Sequence, residues 1–207
     1  TYTPDNTNYN IVYYNNGNPI DYTFGRFNDN INGRFKGNIH NFRFTQEALY
    51  KNNFSVFNGH LNLDNNFKFD GINNYYTIPA NIAPQLAGSD FTIEFWLYPI
   101  NLTTNFQSIL YQAQGDPTLG TLGNQDLSIV IKSDTLALGF NNTVMQVNTD
   151  MTIYHNEWTH FAIIFNNNNN GLTSNAGNIY INSIEQSLTF YNSSLFVNGT
   201  TAYGPIF

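Results

Sequence analysis

"DFTIEFWLYP", residues 90–99, is the stretch on which the fold reading turns. Phe91, Ile93, Phe95 and Leu97 fall on one face of an extended strand, and Thr92, Glu94, Trp96 and Tyr98 on the other. A period of two with bulky residues on both faces marks a strand in the middle of a sheet. "EWTHFAIIFN" (157–166) has the same character, apolar on both sides. Shorter runs surround these two: "NIVYYN" (10–15), "DYTFGRF" (21–27), "GNIHNFRFT" (37–45), "NFKFDG" (66–71) and "NYYTIP" (74–79). Further along come "SILYQA" (108–113), "LSIVIKS" (127–133), "TLALGFN" (135–141), "VMQVNT" (144–149), "GNIYINS" (177–183) and "SLTFYN" (187–192). Gly, Asn and Asp turns separate them. In "GNIHNFRFT", simple alternation sets Ile39, Asn41 and Arg43 against His40, Phe42 and Phe44. Helical periodicity is nearly absent. Single turns are predicted at 45–50, with Thr45 as N-cap ahead of Gln46 and Glu47, and at 82–86. Many strands and minimal helix predict an all-β sandwich or jelly roll of two antiparallel sheets.

Composition agrees. The 207 residues are enough for one large all-β domain or two small ones. They include 18 Phe, 14 Tyr and 37 Asn, and only 10% are charged, against roughly 25% in an average domain. Asn favours turns and φ > 0 over regular elements. The net charge is −7, and the seven basic residues are scattered. A nucleic-acid protein needs a basic stripe to release counterions, so that class is set aside. No apolar run approaches the ~20 residues of a membrane-spanning helix, which argues against membrane insertion. The absence of Cys removes disulfides and thiolate metal sites. The opening "TYTPDNTNYN" has neither an initiator Met nor a signal-peptide pattern, so a processed or excised piece of a longer protein is expected.

From Phe67 onward the chain resembles the laminin-G-like, concanavalin A-like sandwich modules. "FDGINNYYTIP" (69–79) resembles their first strand and turn, and "FTIEFWLYP" (91–99) their next core strand. "HNEWTHFAIIF" (155–165) with "GNIYIN" (177–182) resembles the later core hairpin. The resemblance then calls for two closing strands, a short helical turn and an extended tail. Those features are found ahead of Phe67, in "YTFGRF" (22–27) and "FKGNIHNFRFTQEALYKNNFSVF" (35–57). The expected organisation is therefore 1–57 as closing strands, 58–66 as a joint and 67–207 as the body of the sandwich. Three arrangements fit. Residues 1–57 close their own sandwich as a permuted module, or complete a neighbour's by exchange, or the chain straddles two tandem modules. Under exchange, the assembly edge carries Phe24, Phe27, Ile39, Phe42 and Phe44.

Chemistry is sparse. Glycan-cleaving enzymes need paired carboxylates on one strand face, roughly 5–10 Å apart. Glu94 stands alone in "TIEFW", Glu157 and Glu185 are distant in sequence, and His40, His60, His155 and His160 are dispersed. Glu94 is read as a rim or hydrogen-bonded structural residue, and no enzyme is expected. The resemblance implies no cofactor beyond a calcium ion at one edge. Asp116 and Asp126 in "QGDPTLGTLGNQD" (114–126) are its candidate ligands. A sugar would want an aromatic plate, for which Tyr75, Tyr76, Tyr154 and Tyr203 are the loop candidates. Trp96 and Trp158 are read as core. The five N-x-[ST] sequons match the number that this composition gives by chance.

The expectation is a non-catalytic structural or attachment module of an extracellular or virion-surface fibre, of the kind found in viral and phage appendages. Its partners would be identical or tandem modules. The alternative is a carbohydrate-binding, lectin-like domain recognising surface glycans. A glycoside hydrolase ranks last.

Overall fold

Strands that are bulky on both faces bury more when flanked on both sides, and the two so marked pair with each other. The computed structural model describes residues 14–15, 18–19, 22–26, 34–45, 47–50, 52–55, 66–78, 90–100, 106–112, 127–132, 134–140, 143–166 and 177–192. Within them the strands, in chain order, are β1 (Tyr14–Asn15), β2 (Asn18–Pro19), β3 (Tyr22–Phe24), β4 (Lys36–Thr45), β5 (Phe67–Asp70), β6 (Tyr76–Ile78), β7 (Phe91–Pro99) and β8 (Phe106–Gln112). They continue as β9 (Leu127–Lys132), β10 (Thr135–Phe140), β11 (Thr143–Val147), β12 (Thr159–Phe165), β13 (Gly177–Ile181), β14 (Ile184–Glu185) and β15 (Leu188–Asn192). β7 and β12 run antiparallel, from Thr159 opposite Leu97 to Phe165 opposite Phe91.

Among the described residues these strands form a six-stranded sheet, β14-β13-β12-β7-β4-β5, and a seven-stranded sheet, β15-β11-β10-β9-β8-β3-β6. β1 and β2 form a separate pair. Every strand pair is antiparallel. The all-β, two-sheet jelly-roll sandwich expected from the sequence is the observed architecture. The inner faces make one core that includes Phe35, Ile39, Phe91, Phe95, Leu110, Ile129, Leu138, Phe161 and Ile181. Phe95 stacks between Phe42 and Phe161, with centroids 5.4 and 5.5 Å away and planes inclined by 13° and 18°. That row of rings ties β4, β7 and β12 together from the inside.

Residues ahead of the joint fill both sheets. β4 lies between β7 and β5, and β3 between β8 and β6. Phe24, Phe35 and Ile39 are buried, and Phe42 and Phe44 pack on the core. In this single chain the residues expected at an assembly edge are therefore interior; Phe27 lies outside the described residues. The joint at 58–66 also lies outside them, apart from Asn66.

Three sequence expectations need correction. First, the described residues of 45–50 form no helical turn: Thr45 is the last residue of β4, and 47–50 run as a strap without regular structure. Thr92 sets that path, because its hydroxyl accepts from the Leu49 amide at 3.0 Å and donates to the Glu47 carbonyl at 2.6 Å. The second predicted turn, 82–86, lies outside the described residues. Second, simple alternation fails in β4. A bulge between His40 and Arg43 inserts one residue, and Asn41 takes φ 50° there. Asn tolerates that left-handed conformation, which a branched side chain resists. Ile39, Phe42 and Phe44 thus share the core side, while His40 and Arg43 face outward opposite Trp96 and Glu94. Third, the sequence reading has no helical element at 151–154. A 3-10 turn forms at Met151–Tyr154, because the Asp150 carboxylate accepts the Thr152 amide at 2.8 Å and caps it.

Candidate functional site

Among the described residues, the outer face of the six-stranded sheet carries a group of polar and aromatic side chains. Register builds it in cross-strand rows. Asn38 of β4 lies opposite Tyr98 of β7, and His40, Trp96 and His160 follow in one row across β4, β7 and β12. Arg43, Glu94, Ala162 and Tyr180 make the next row, extending to β13. Thr45, Thr92, Ile164 and Asn178 make the last.

The strap, 47–50 and 52–55, lies over the last two rows. Ala48, Tyr50 and Phe54 pack on Ala162, Ile164 and Tyr180 in a second, smaller apolar cluster. Tyr50 and Phe54 stack at 3.7 Å. Beneath them, Glu94 is 6% exposed and fully engaged. It accepts hydrogen bonds from the Tyr50 hydroxyl at 2.6 Å and from the Arg43 guanidinium, and His160 Nε2 lies 3.7 Å away. Burial, then the bond to Glu94, pushes the Tyr50 hydroxyl up to about 12. The hydrogen bond to Glu94 raises Arg43 further above its ordinary value. Burial holds His160 below 6.5, against the partly offsetting pull of Glu94.

The His160 shift makes a pH prediction. The folded chain takes up this proton less readily than the unfolded chain. Its contribution is therefore fully present above about 6.5 and is lost as pH falls through that value toward the lower, folded one. Thermal melts at pH 7.5 and 5.5 should show the wild type losing more stability on acidification than His160→Gln. Equal losses would show that His160 does not set the slope.

Beyond the strap, among the described residues, the face carries a group of aromatic rings. Trp96, Tyr98 and Trp158 are half-buried there, and Tyr98 and Trp158 meet at 5.5 Å. Trp158 also stands 6.3 Å from the His40 ring, and Trp96 5.3 Å from His160. Reading the two tryptophans as core is thus corrected. β7 and β12 are central in their sheet, as their patterns say, but a central strand has an outer face too. Here the second sheet covers one side only, and the strap stops short of the tryptophans. The alternation had already put Trp96 and Tyr98 on the face away from Phe95; the extent of the cover was not visible in it.

The other sequence candidates divide. Tyr75 and Tyr76 come together at a border of the sandwich, 44% and 43% exposed, beside Phe67. The Arg26 guanidinium stands 3.6 Å over the Tyr75 ring. Tyr154 is elsewhere, half-buried in the 3-10 turn and edge-on to Phe161 at 6.4 Å. Tyr203, Asp116 and Asp126 lie outside the described residues. Among the described residues no group of three or more His, Asp or Glu could hold a metal ion. No described helix is long and apolar enough to cross a membrane.

A laminin-G-type family model, described as the concanavalin A-like lectin/glucanases superfamily, matches residues 70–204. The chain belongs to that superfamily. The matched span begins at the last residue of β5, so β3, β4 and the strap all lie ahead of it. No curated protein and no solved structure matches the chain. The superfamily's description names both lectins and glucanases. On the outer face, the Glu94 carboxylate in the middle of the central strand is paired with the Arg43 guanidinium, accepts the Tyr50 hydroxyl, and lies under the chain's own strap.

Proposed function

We propose that the domain is a non-catalytic attachment module of an extracellular or virion-surface assembly, and that it attaches by holding a neutral glycan. The observation that carries this reading is the half-buried aromatic shelf of Trp96, Tyr98 and Trp158. The apolar face of a sugar ring packs on such rings, and neighbouring amides and imidazoles serve its hydroxyls. Asn38 and His40 stand beside the shelf in the register. The engaged state of Glu94 supports the non-catalytic part. A general acid or nucleophile has to reach its substrate, and this carboxylate already serves Arg43, Tyr50 and the strap.

Glycan-array binding, with and without calcium, tests the proposal. The wild type should bind at least one neutral glycan class. Trp158→Ala should weaken that binding about tenfold or more while shifting the melting temperature by only a few degrees, because the side chain is half-exposed. An array blank in both conditions would remove the lectin-like reading. A Trp158→Ala variant that binds as well as the wild type would move the site off the shelf, with the Tyr75–Tyr76 border next in line.

A further inference from the structure

The strap crosses the outer face without joining its ladders; residues 47–50 and 52–55 belong to no strand. Thr92 and Glu94 of β7 hold it at one end, through the Leu49 amide, the Glu47 carbonyl and the Tyr50 hydroxyl. Ser183 and Glu185 hold it at the other, where the Phe54 amide donates to the Ser183 carbonyl at 3.4 Å and Asn53 Oδ1 accepts the Glu185 amide at 2.9 Å. Between these ends it rests on the sheet by its rings. Tyr50 and Phe54 stand edge-on to Tyr180, at 6.3 and 5.4 Å. A segment held by single bonds and a few rings opens locally at lower cost than a strand in a ladder.

Beneath the strap the polar groups are unevenly served. His160 is buried, and its Nδ1 has no hydrogen-bond partner among the described residues; the buried Tyr180 hydroxyl has none either. The Phe54 ring stands edge-on to the imidazole, 6.1 Å between centroids. Around His160 are Glu94 of β7, Arg43 of β4 and Tyr50 of the strap. Tyr180 of β13, with Glu185 near it, and His40 of β4, across Trp96, complete the titratable surroundings. Glu94 attracts a proton to His160, but it already holds Arg43 and Tyr50, and Arg43 repels one. An imidazolium carries two N–H donors where the neutral ring carries one. Under the strap, the donor at Nδ1 would meet no acceptor among the described residues. With the strap lifted, solvent serves both nitrogens. A proton therefore binds the open form better than the closed form, and acid shifts the population toward it.

We propose that the strap is an acid-released lid: protonation of His160 beneath it lifts Tyr50 and Phe54 off the outer face. Arg43 belongs to β4, so Glu94 stays paired when the strap leaves. What the lid uncovers is the ring of Tyr180, in the row next to that of Trp96 and His160. The aromatic shelf thus lengthens across β12 to β13 at low pH. The inference goes beyond the attachment reading, and the lid's motion does not depend on what the shelf holds. Its size follows from linkage. An open form whose His160 titrates at its ordinary value, about 6.5, gains about tenfold in population between pH 7.5 and 5.5 over a closed form that takes up no proton.

Hydrogen exchange followed by mass spectrometry tests it on the full chain, with rates corrected for the pH dependence of intrinsic exchange. The peptide spanning 47–55 carries the Leu49 and Phe54 amides, which the closed strap protects. Its opening should rise about tenfold from pH 7.5 to 5.5 and fall back on return to pH 7.5. Peptides from 91–99 and 159–165 should keep their protection. His160→Gln, which keeps a polar side chain of similar size but cannot charge, should abolish the rise. His40→Gln, at the row's other imidazole, should leave it intact. Corrected opening that is the same at both pH values overturns the proposal. So does a rise that 159–165 shares in full, a rise that survives His160→Gln, or one that disappears with His40→Gln. A blank glycan array would leave these rates unchanged, so the two proposals fail separately.

Discussion

A chain that begins at residue 58 will show no cooperative melting transition. Among the described residues β5 pairs with β4 and β6 pairs with β3, and neither has another strand beside it. Removing the first 57 residues therefore detaches the two strands that open the body of the sandwich. It also bares β7 and β8, central strands whose inner faces carry Phe91, Phe95, Leu97, Ile109 and Leu110. Bare hydrophobic edges of this kind invite aggregation. The core loses Phe24, Phe35 and Ile39, each worth about 1.5–3 kcal/mol when buried. Three such losses are on the scale of a whole domain's net stability, about 5–15 kcal/mol. Calorimetry should find no unfolding peak, and a dye that binds exposed apolar surface should brighten relative to the full chain. A soluble remainder with a sharp melt would show that residues 67–207 form a complete sandwich by themselves.

Phe95→Ala should destabilise the fold by about 3–5 kcal/mol. Phe95 is 0% exposed and is the middle ring of the Phe42–Phe95–Phe161 row. Its removal leaves a cavity walled by three strands of one sheet, whose backbones are fixed by their ladders and cannot close in. The loss is therefore the transfer energy of the ring plus an unrelaxed void. Denaturant titration should show a lower midpoint with an unchanged slope. Phe67→Ala is the control. That ring is 45% exposed at the border, so its loss should cost less than about 1 kcal/mol. A cost for Phe95 no larger than for Phe67 would mean that the row is not a structural unit.

The fold was legible because β7 and β12 announce themselves. Their two-sided bulk makes them central, and the aromatic runs around them had to become their neighbours. The place of β4 was legible only through resemblance, since nothing in "GNIHNFRFT" says which strands it separates. Its faces were misread for a local reason. One Asn at φ 50° adds a residue to the strand, and a period-two count carries the error to every later position. The outer face was half legible. Alternation placed Glu94, Trp96 and Tyr98 together on β7, but the cover over Glu94 comes from residues more than forty positions earlier. Such a crossing has no periodicity, because its side chains answer to several strands in turn. The opposing row of His40 and His160 was hidden too, since register across three strands joins residues 120 positions apart.

Asn41 has one more consequence. Without it, Ile39, His40, Phe42, Arg43 and Phe44 would alternate regularly, and Phe42 would stand directly across from Phe95. Losing a residue from the interior of a strand ordinarily turns half of its side chains inside out. At this one position a lineage could drop or regain a codon and leave both surfaces painted as before. A deletion variant whose melting curve overlays the parent's would mark Asn41 as a spacer that the sandwich tolerates in either count.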